Sequence, residues 1–118
     1  MKPTFCYMVM TSGSDPARDR ARIESEDLVF ETVMVPDMEA AKQEANAMLE
    51  RGVGVLELCG AFGEAKAREI IEATGGKLPV SYLVTPPDQA EATGAFFRSA
   101  HAHRQDRKST RLNSSHAT

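Results

Sequence analysis

The chain lacks tryptophan, an excess of basic residues and any long apolar run. Its 14 lysines and arginines are outnumbered by 17 aspartates and glutamates, which argues against a nucleic-acid-binding surface. No apolar run approaches the roughly 20 residues that a membrane-spanning helix needs. The apolar run Phe5–Met10 is too short for the core of a signal peptide, and no small-residue cleavage site follows it. We therefore expect a cytoplasmic protein with neither a nucleic-acid partner nor a membrane partner.

The composition that is present belongs to an ordinary globular protein. The 118 residues are 42% hydrophobic and 26% charged, which excludes the disordered, collagen-like and fibrous classes. A chain of this length normally forms one domain, and no internal repeat or linker marks a second one. We expect a single α/β domain over residues 1–105.

The C-terminal segment differs from the rest of the chain. Residues 106–118 show no apolar periodicity and predict a disordered tail. Residues 106–116 also resemble the translation of a common short-read sequencing adapter. This resemblance implies an artefact of read-through in a gene predicted from metagenomic sequence, so we leave the segment out of the functional argument.

Strand-like and helix-like segments alternate along the rest of the chain. Segments rich in β-forming residues predict four strands, at Phe5–Met10, Leu28–Val35, Val53–Cys59 and Leu78–Val84. Apolar residues at helical spacing predict a helix after each of the last three strands, the first of them capped by Asp37 and ended by a left-handed Gly52. This order predicts an α/β fold with a small, mostly parallel four-stranded sheet flanked by helices, flavodoxin-like or half-Rossmann in kind.

The connection between the first two strands allows two interpretations. Residues 17–26 are mostly charged and contain one sizeable apolar side chain, Ile23. This pattern fits a short surface helix or an irregular loop. If the segment is not helical, the first two strands can be antiparallel neighbours, so their relative direction stays open at this point.

The turn after the third predicted strand carries a family resemblance. Its residues, Glu57 to Gly63, read E-L-C-G-A-F-G, and Gly75 to Val80 follow as G-G-K-L-P-V. The pattern E-L-C-G-x-F-G resembles a family of small uncharacterised proteins of bacteria and fungi, a domain of unknown function. The resemblance spans roughly residues 3–84 and departs after Leu83. It implies a bacterial or fungal source and no particular reaction or cofactor; we expect a bacterial source.

Candidate ligand-binding residues follow from the sheet itself. In a parallel α/β sheet, ligands bind beyond the carboxyl ends of the strands. Glycines let the backbone approach a ligand closely, and the helix that follows directs N–H groups to that point, which suits a phosphate or carboxylate of a small anionic metabolite. The alternative is that these glycines only permit a tight turn, and that the polar loop residues only stabilise turns. The candidates are Ser12, Asp15, Gly60, Ala61, Phe62, Gly63 and Thr85.

Two further residues are candidates for catalysis. Glu57 interrupts an apolar strand, where a carboxylate can act as a general base, hold a ligand amine or hydroxyl, or simply pair with a nearby base. Cys59 stands just before a helix N-terminus, a position that can activate a thiol, although a free cysteine is more commonly a small buried filler. The pair His101 and His103 does not share a helix face and has no further ligands, so we expect no metal site.

Three functional hypotheses follow. The first is a small-molecule-binding domain that holds an anion at Gly60–Gly63, with Glu57 providing specificity. The second is a small enzyme that uses Glu57 as acid or base and Cys59 as nucleophile. The third is a homodimeric interaction domain without a small ligand, because a four-stranded sheet leaves open edges that need cover. We expect a homo-oligomer, and the cofactor, if any, is not readable.

Overall fold

The computed structural model describes residues 1–103 with their side chains and follows the helical backbone to residue 117. The chain has two compact units, Met1–Val84 and Thr85–Thr118. The expectation of a single domain over residues 1–105 stays a prediction. The predicted disordered tail at residues 106–118 lies outside the residues that the structure describes in full.

The first unit consists of five strands and two helices, and the second of a short 3-10 turn at Pro87–Gln89 followed by helix α3 (Ala90–Ala117). None of the helices in the described part of the chain is both long enough and apolar enough to cross a membrane. The elements of the first unit are β1 (Thr4–Met10), β2 (Arg20–Glu24), β3 (Val29–Val35), α1 (Met38–Glu50), β4 (Val55–Leu58), α2 (Gly63–Ala73) and β5 (Val80–Tyr82).

The strands form one sheet in the order β2-β3-β1-β4-β5. Strands β1, β3, β4 and β5 are parallel, and β2 runs antiparallel to β3 at the edge. The α/β class and the mostly parallel sheet are therefore confirmed. The prediction of four strands is wrong, because the sheet has five. The relative direction of the first two predicted strands, which the sequence left open, is parallel, since β1 and β3 are parallel neighbours.

The missed element is the edge strand β2, which replaces the predicted surface helix or loop. Its residues alternate, with Arg20, Arg22 and Glu24 at positions that share one face and Ala21 and Ile23 on the other. This period-two pattern is typical of a strand. The charges concealed it, and charged side chains are what an edge strand needs to resist pairing with other chains.

Helix α1 begins where the sequence predicts. The Asp37 side chain accepts a hydrogen bond from the Ala40 N–H at 2.9 Å and so caps the helix. The apolar stripe of the helix is buried, with Ala41 and Ala45 at 0% exposure and Met48 at 1%. Past the helix end, Gly52 has a φ of +84°, which confirms the predicted left-handed residue there.

Helices α1 and α2 pack on the same face of the sheet. The path from β3 through α1 to β4 and then through α2 to β5 moves steadily toward one edge, and right-handed crossovers in one direction place their helices on one side. We call this the covered face. Its strand positions hold the core residues of the sheet, among them Cys6, Met8, Val33, Leu56 and Leu58, each at most 2% exposed.

The opposite side of the sheet, which we call the open face, has no helix over it within residues 1–84. The connection from β1 to β3 crosses the sheet in the opposite direction, and a helix in that connection would cover this face. In this protein the connection contains the edge strand β2 instead of a helix, so the open face stays without a helix from this segment. The flavodoxin-like prediction required helices on both faces, and the first unit supplies them on one.

Candidate functional site

Four polar side chains form a row across the open face. Tyr7 of β1 pairs with Thr32 of β3 on one side and with Glu57 of β4 on the other, and Glu57 pairs with Ser81 of β5. Paired residues of neighbouring strands project from the same face of a sheet, with about 4.8 Å between the strands. None of the four side chains makes a hydrogen bond or ion pair with another described residue. We call these four residues the polar row.

Apolar side chains border the polar row on both sides. The rings of Phe5 and Phe30 lie 5.3 Å apart on one side, and on the other Val9 pairs with Met34, which is 41% exposed. A line of hydrogen-bonding groups between apolar borders can hold the apolar body of a small molecule and recognise its polar groups. The border on the first side consists of Ile23, Phe30, Phe5 and Val55.

Tyr7 offers a hydrogen-bond donor in this row. Burial raises the pKa of its phenol above the usual value of 10, and the negative charges that Cys59 and Glu57 can carry raise it further. The phenol therefore keeps its proton at neutral pH. Because Glu57 is exposed and accepts hydrogen bonds when ionised, the row presents a donor beside an acceptor.

The predicted nucleophile Cys59 lies just beyond β4 and is half-buried against the edge of the core. Its Sγ accepts a hydrogen bond from the Met10 N–H at 3.4 Å. The other cysteine, Cys6, is fully buried on the covered face, and its thiol donates to Glu31 Oε2 at 3.4 Å. Burial, together with the neighbouring Glu31 carboxylate, raises the pKa of Cys6 to about 12, so this thiol stays protonated and unreactive.

The two thiols are expected to differ sharply in alkylation. We expect N-ethylmaleimide to modify Cys59 and not Cys6 in the folded protein, because Cys6 has no exposed surface and a raised pKa. Intact-mass spectrometry should show one adduct in buffer and two in guanidinium chloride. Two adducts at equal rates in buffer would contradict this prediction. A Cys59 rate well above that of free cysteine would favour a nucleophilic role, and an ordinary rate would remove it.

The predicted anion site, the turn Gly60–Gly63, lies between β4 and α2. Gly60 and Ala61 are exposed, whereas the Phe62 side chain is 3% exposed and belongs to the core. Gly63 opens α2 with a φ of +67°, a conformation that favours glycine, and no side chain caps this helix start. No side chain therefore occupies the backbone N–H groups at the start of α2. The role of this turn in anion binding stays a prediction.

The remaining candidates occupy separate loops. Asp15 Oδ1 accepts the Ala17 N–H at 3.0 Å and so serves the turn after β1, where Ser12 is exposed. Thr85 is exposed and is the first residue of the second unit. In the described residues there is no group of three or more His, Cys, Asp or Glu side chains placed to hold a metal ion.

Sequence reasoning missed three members of the polar row: Thr32, Tyr7 and Ser81. A continuous apolar run such as that of β1 is typical of a strand buried on both faces, and a tyrosine is compatible with that pattern. The signal that could have found them is the alternation of Cys6 and Met8 with Tyr7. This alternation places Tyr7 on the face opposite Cys6 and Met8, and it points to a site only when that face is known to carry no helix.

Comparison with known protein families identifies a match. The model of a family of unknown function (DUF6506) matches residues 3–98. The matched range continues past Leu83, where the resemblance in the sequence ended. No curated protein and no solved structure matches the chain.

Proposed function

The chain belongs to DUF6506, a family of unknown function, and from the geometry above we propose that it is a small-molecule-binding α/β domain. The ligand lies along the polar row of the open face. The observation that carries this proposal is the row itself, in which four side chains without described partners stand between apolar borders.

Glu57 selects the ligand by its charge. An exposed carboxylate beside a protonated phenol suits an ammonium group, which donates to Glu57 and to the phenol oxygen of Tyr7, or a hydroxyl group, which donates to Glu57 and accepts from the Tyr7 phenol. The Gly60–Gly63 turn begins three residues beyond Glu57, a reach of about 10 Å along an extended chain. Because α2 lies over the covered face, a carboxylate or phosphate on the same ligand has to extend past the carboxyl end of β4 to contact the turn and the start of α2. The proposed ligand class is therefore a small anionic metabolite that also carries an amine or hydroxyl group.

A thermal-shift screen of small amino and hydroxy acids tests this proposal. We expect at least one such acid to raise the melting temperature, and Glu57→Gln to weaken its binding about tenfold, because one charge-assisted hydrogen bond is lost. Glu26→Gln is the matched control, since Glu26 is an exposed glutamate in the turn between β2 and β3. Nitrogen-15 NMR should place the shifted amides at the polar row.

Two results would contradict the proposal. If no acid of either class stabilises the protein, small-molecule binding of this kind is unsupported. If binding persists unchanged in Glu57→Gln while the shifted amides lie elsewhere, the domain binds a ligand, but not on the open face.

The proximity of Tyr7, Glu57 and Cys59 favours a second candidate, a small enzyme. In that case Glu57 moves a proton and Cys59 is the nucleophile, and the alkylation rate of Cys59 described above separates this candidate from simple binding. The third hypothesis, a homodimer without a small ligand, also stays open as a proposal, because a second copy would bury the apolar borders of the open face.

A further inference from the structure

A cavity on the covered face has no part in the proposed function. It has a volume of about 320 Å³ and lies between β2, β3 and the end of α1. Arg20 and Arg22 of β2, Arg51 after α1, and Glu31 of β3 line its walls. Its volume falls within the range of small-molecule sites, and its walls place three guanidinium groups around a single carboxylate.

Positive charge exceeds negative charge around this cavity. Glu31 contacts Arg51 directly and lies 3.9 Å from Arg22, while Arg20 pairs with Glu44 at 3.2 Å. Glu24 forms ion pairs with both Arg22, at 3.2 Å, and Lys2, at 2.8 Å. Four basic side chains therefore share three carboxylates, in a chain whose net charge is -3. The basic members are Lys2, Arg20, Arg22 and Arg51, and the acidic members are Glu24, Glu31 and Glu44.

The arginines also retain donors for a ligand. Each guanidinium carries five N–H donors, and the ion pairs and the bond from Arg20 to the Pro16 carbonyl use only part of them. Guanidinium groups bind oxyanions through paired, charge-assisted hydrogen bonds. Three guanidiniums around one space match the three outer oxygens of a phosphate better than the two oxygens of a carboxylate.

We propose that this cavity binds the phosphate group of a small phosphate monoester. Such a group carries a charge of about -1.5 to -2 at pH 7, which complements the excess of basic side chains. The arginines and Glu31 occupy covered-face positions, whereas Thr32, which also lines the cavity, belongs to the polar row. The phosphate site is tested at the arginines and the proposed function at Glu57, so either can fail without the other.

Titration with inorganic phosphate, at constant ionic strength adjusted with sodium chloride, tests the site. Nitrogen-15 NMR follows the backbone amides and the arginine Nε–H signals. We expect saturating shifts at Arg20, Arg22, Glu31 and Arg51. Arg22→Gln should weaken binding about tenfold, because it removes a charge-assisted contact made by a side chain that is 56% exposed. Arg68→Gln is the matched control, since Arg68 is an exposed arginine of α2 outside the cavity.

The results that would overturn the proposal are specific. Shifts that grow linearly with phosphate, or equal losses in Arg22→Gln and Arg68→Gln, would mean that the arginines only join β2 to the sheet through ion pairs. Acetate binding as tightly as phosphate would reject a phosphate site. Saturating binding of phosphate that Arg22→Gln weakens and Arg68→Gln does not would support it.

Discussion

Leu56→Ala is expected to cost about 3–5 kcal/mol of unfolding free energy, the largest effect among the substitutions considered. Leu56 is completely buried in β4, where it pairs with Cys6 of β1 and Val80 of β5 beneath the helices of the covered face. Truncation removes apolar contacts and leaves a cavity that the surrounding sheet cannot close. Because small domains have a total stability of about 5–15 kcal/mol, this variant should be close to unfolding at physiological temperature.

Chemical denaturation followed by circular dichroism measures this effect. Leu83→Ala is the matched control, because Leu83 loses the same atoms from a side chain that is 51% exposed. We expect it to cost less than about 1 kcal/mol. Equal losses in the two variants would mean that the core does not lie on the covered face of the sheet.

Glu31→Gln is expected to cost about 1–2 kcal/mol at pH 7, because it leaves the Arg51 guanidinium without its carboxylate and weakens the bond from Cys6. The value is modest because Arg51 is 36% exposed and solvent screens the pair. Burial opposes ionisation of Glu31, but the hydrogen bonds from Arg51 and Cys6 outweigh it. Together they hold the pKa of Glu31 below its ordinary value of 4.5.

The stabilisation from Glu31 should disappear in acid. A carboxyl group whose pKa is lowered on folding stabilises the protein fully above its unfolded pKa of about 4.5, and this contribution is lost as the pH falls through the folded pKa. The difference between the wild type and Glu31→Gln, measured by urea denaturation from pH 7 to pH 2, should therefore shrink toward zero. The side chain of Arg18 and the Asp15 N–H lower the pKa of Asp19 to about 2. Protonation of Asp19 in acid therefore destabilises the wild type and Glu31→Gln equally.

Glu26→Gln again provides the control for this measurement. Glu26 is exposed and makes no ion pair with another described residue, so its replacement should leave the stability unchanged across the pH range. A difference between the wild type and Glu31→Gln that stays constant down to pH 2 would show that the Arg51 contact does not stabilise the fold.

The sequence predicted the parts of the fold that rest on strong local patterns. The apolar segments of β1, β3, β4 and β5, the Asp37 cap and the left-handed Gly52 each have a short-range physical cause. Prediction from the sequence failed where pairing between distant segments decides the structure. Arg20–Glu24 is mostly charged and becomes a strand because β3 offers it an edge.

The candidate site was predicted in part for a similar reason. Glu57 was recognisable because a carboxylate interrupts an apolar strand. Its exposure, and its alignment with Tyr7 and Ser81, depend on the strand register and on the missing helix in the connection from β1 to β3. The arginine-lined cavity was not recognisable, because Arg20 and Arg51 lie far apart in the chain and meet only through folding.

The position of β1 in the middle of the sheet has a consequence for how the chain folds during synthesis. Phe5 pairs with Phe30 and Val55, which lie 25 and 50 positions further along the chain. Pairing over such separations requires the closure of large loops and slows folding. As the ribosome delivers the N-terminus first, β1 can pair with β3 on one edge, but its other edge stays unpaired until β4 has emerged. We therefore expect the nascent chain to be prone to aggregation until β4 has emerged from the ribosome. We also expect a chain that is truncated before β4 to be insoluble.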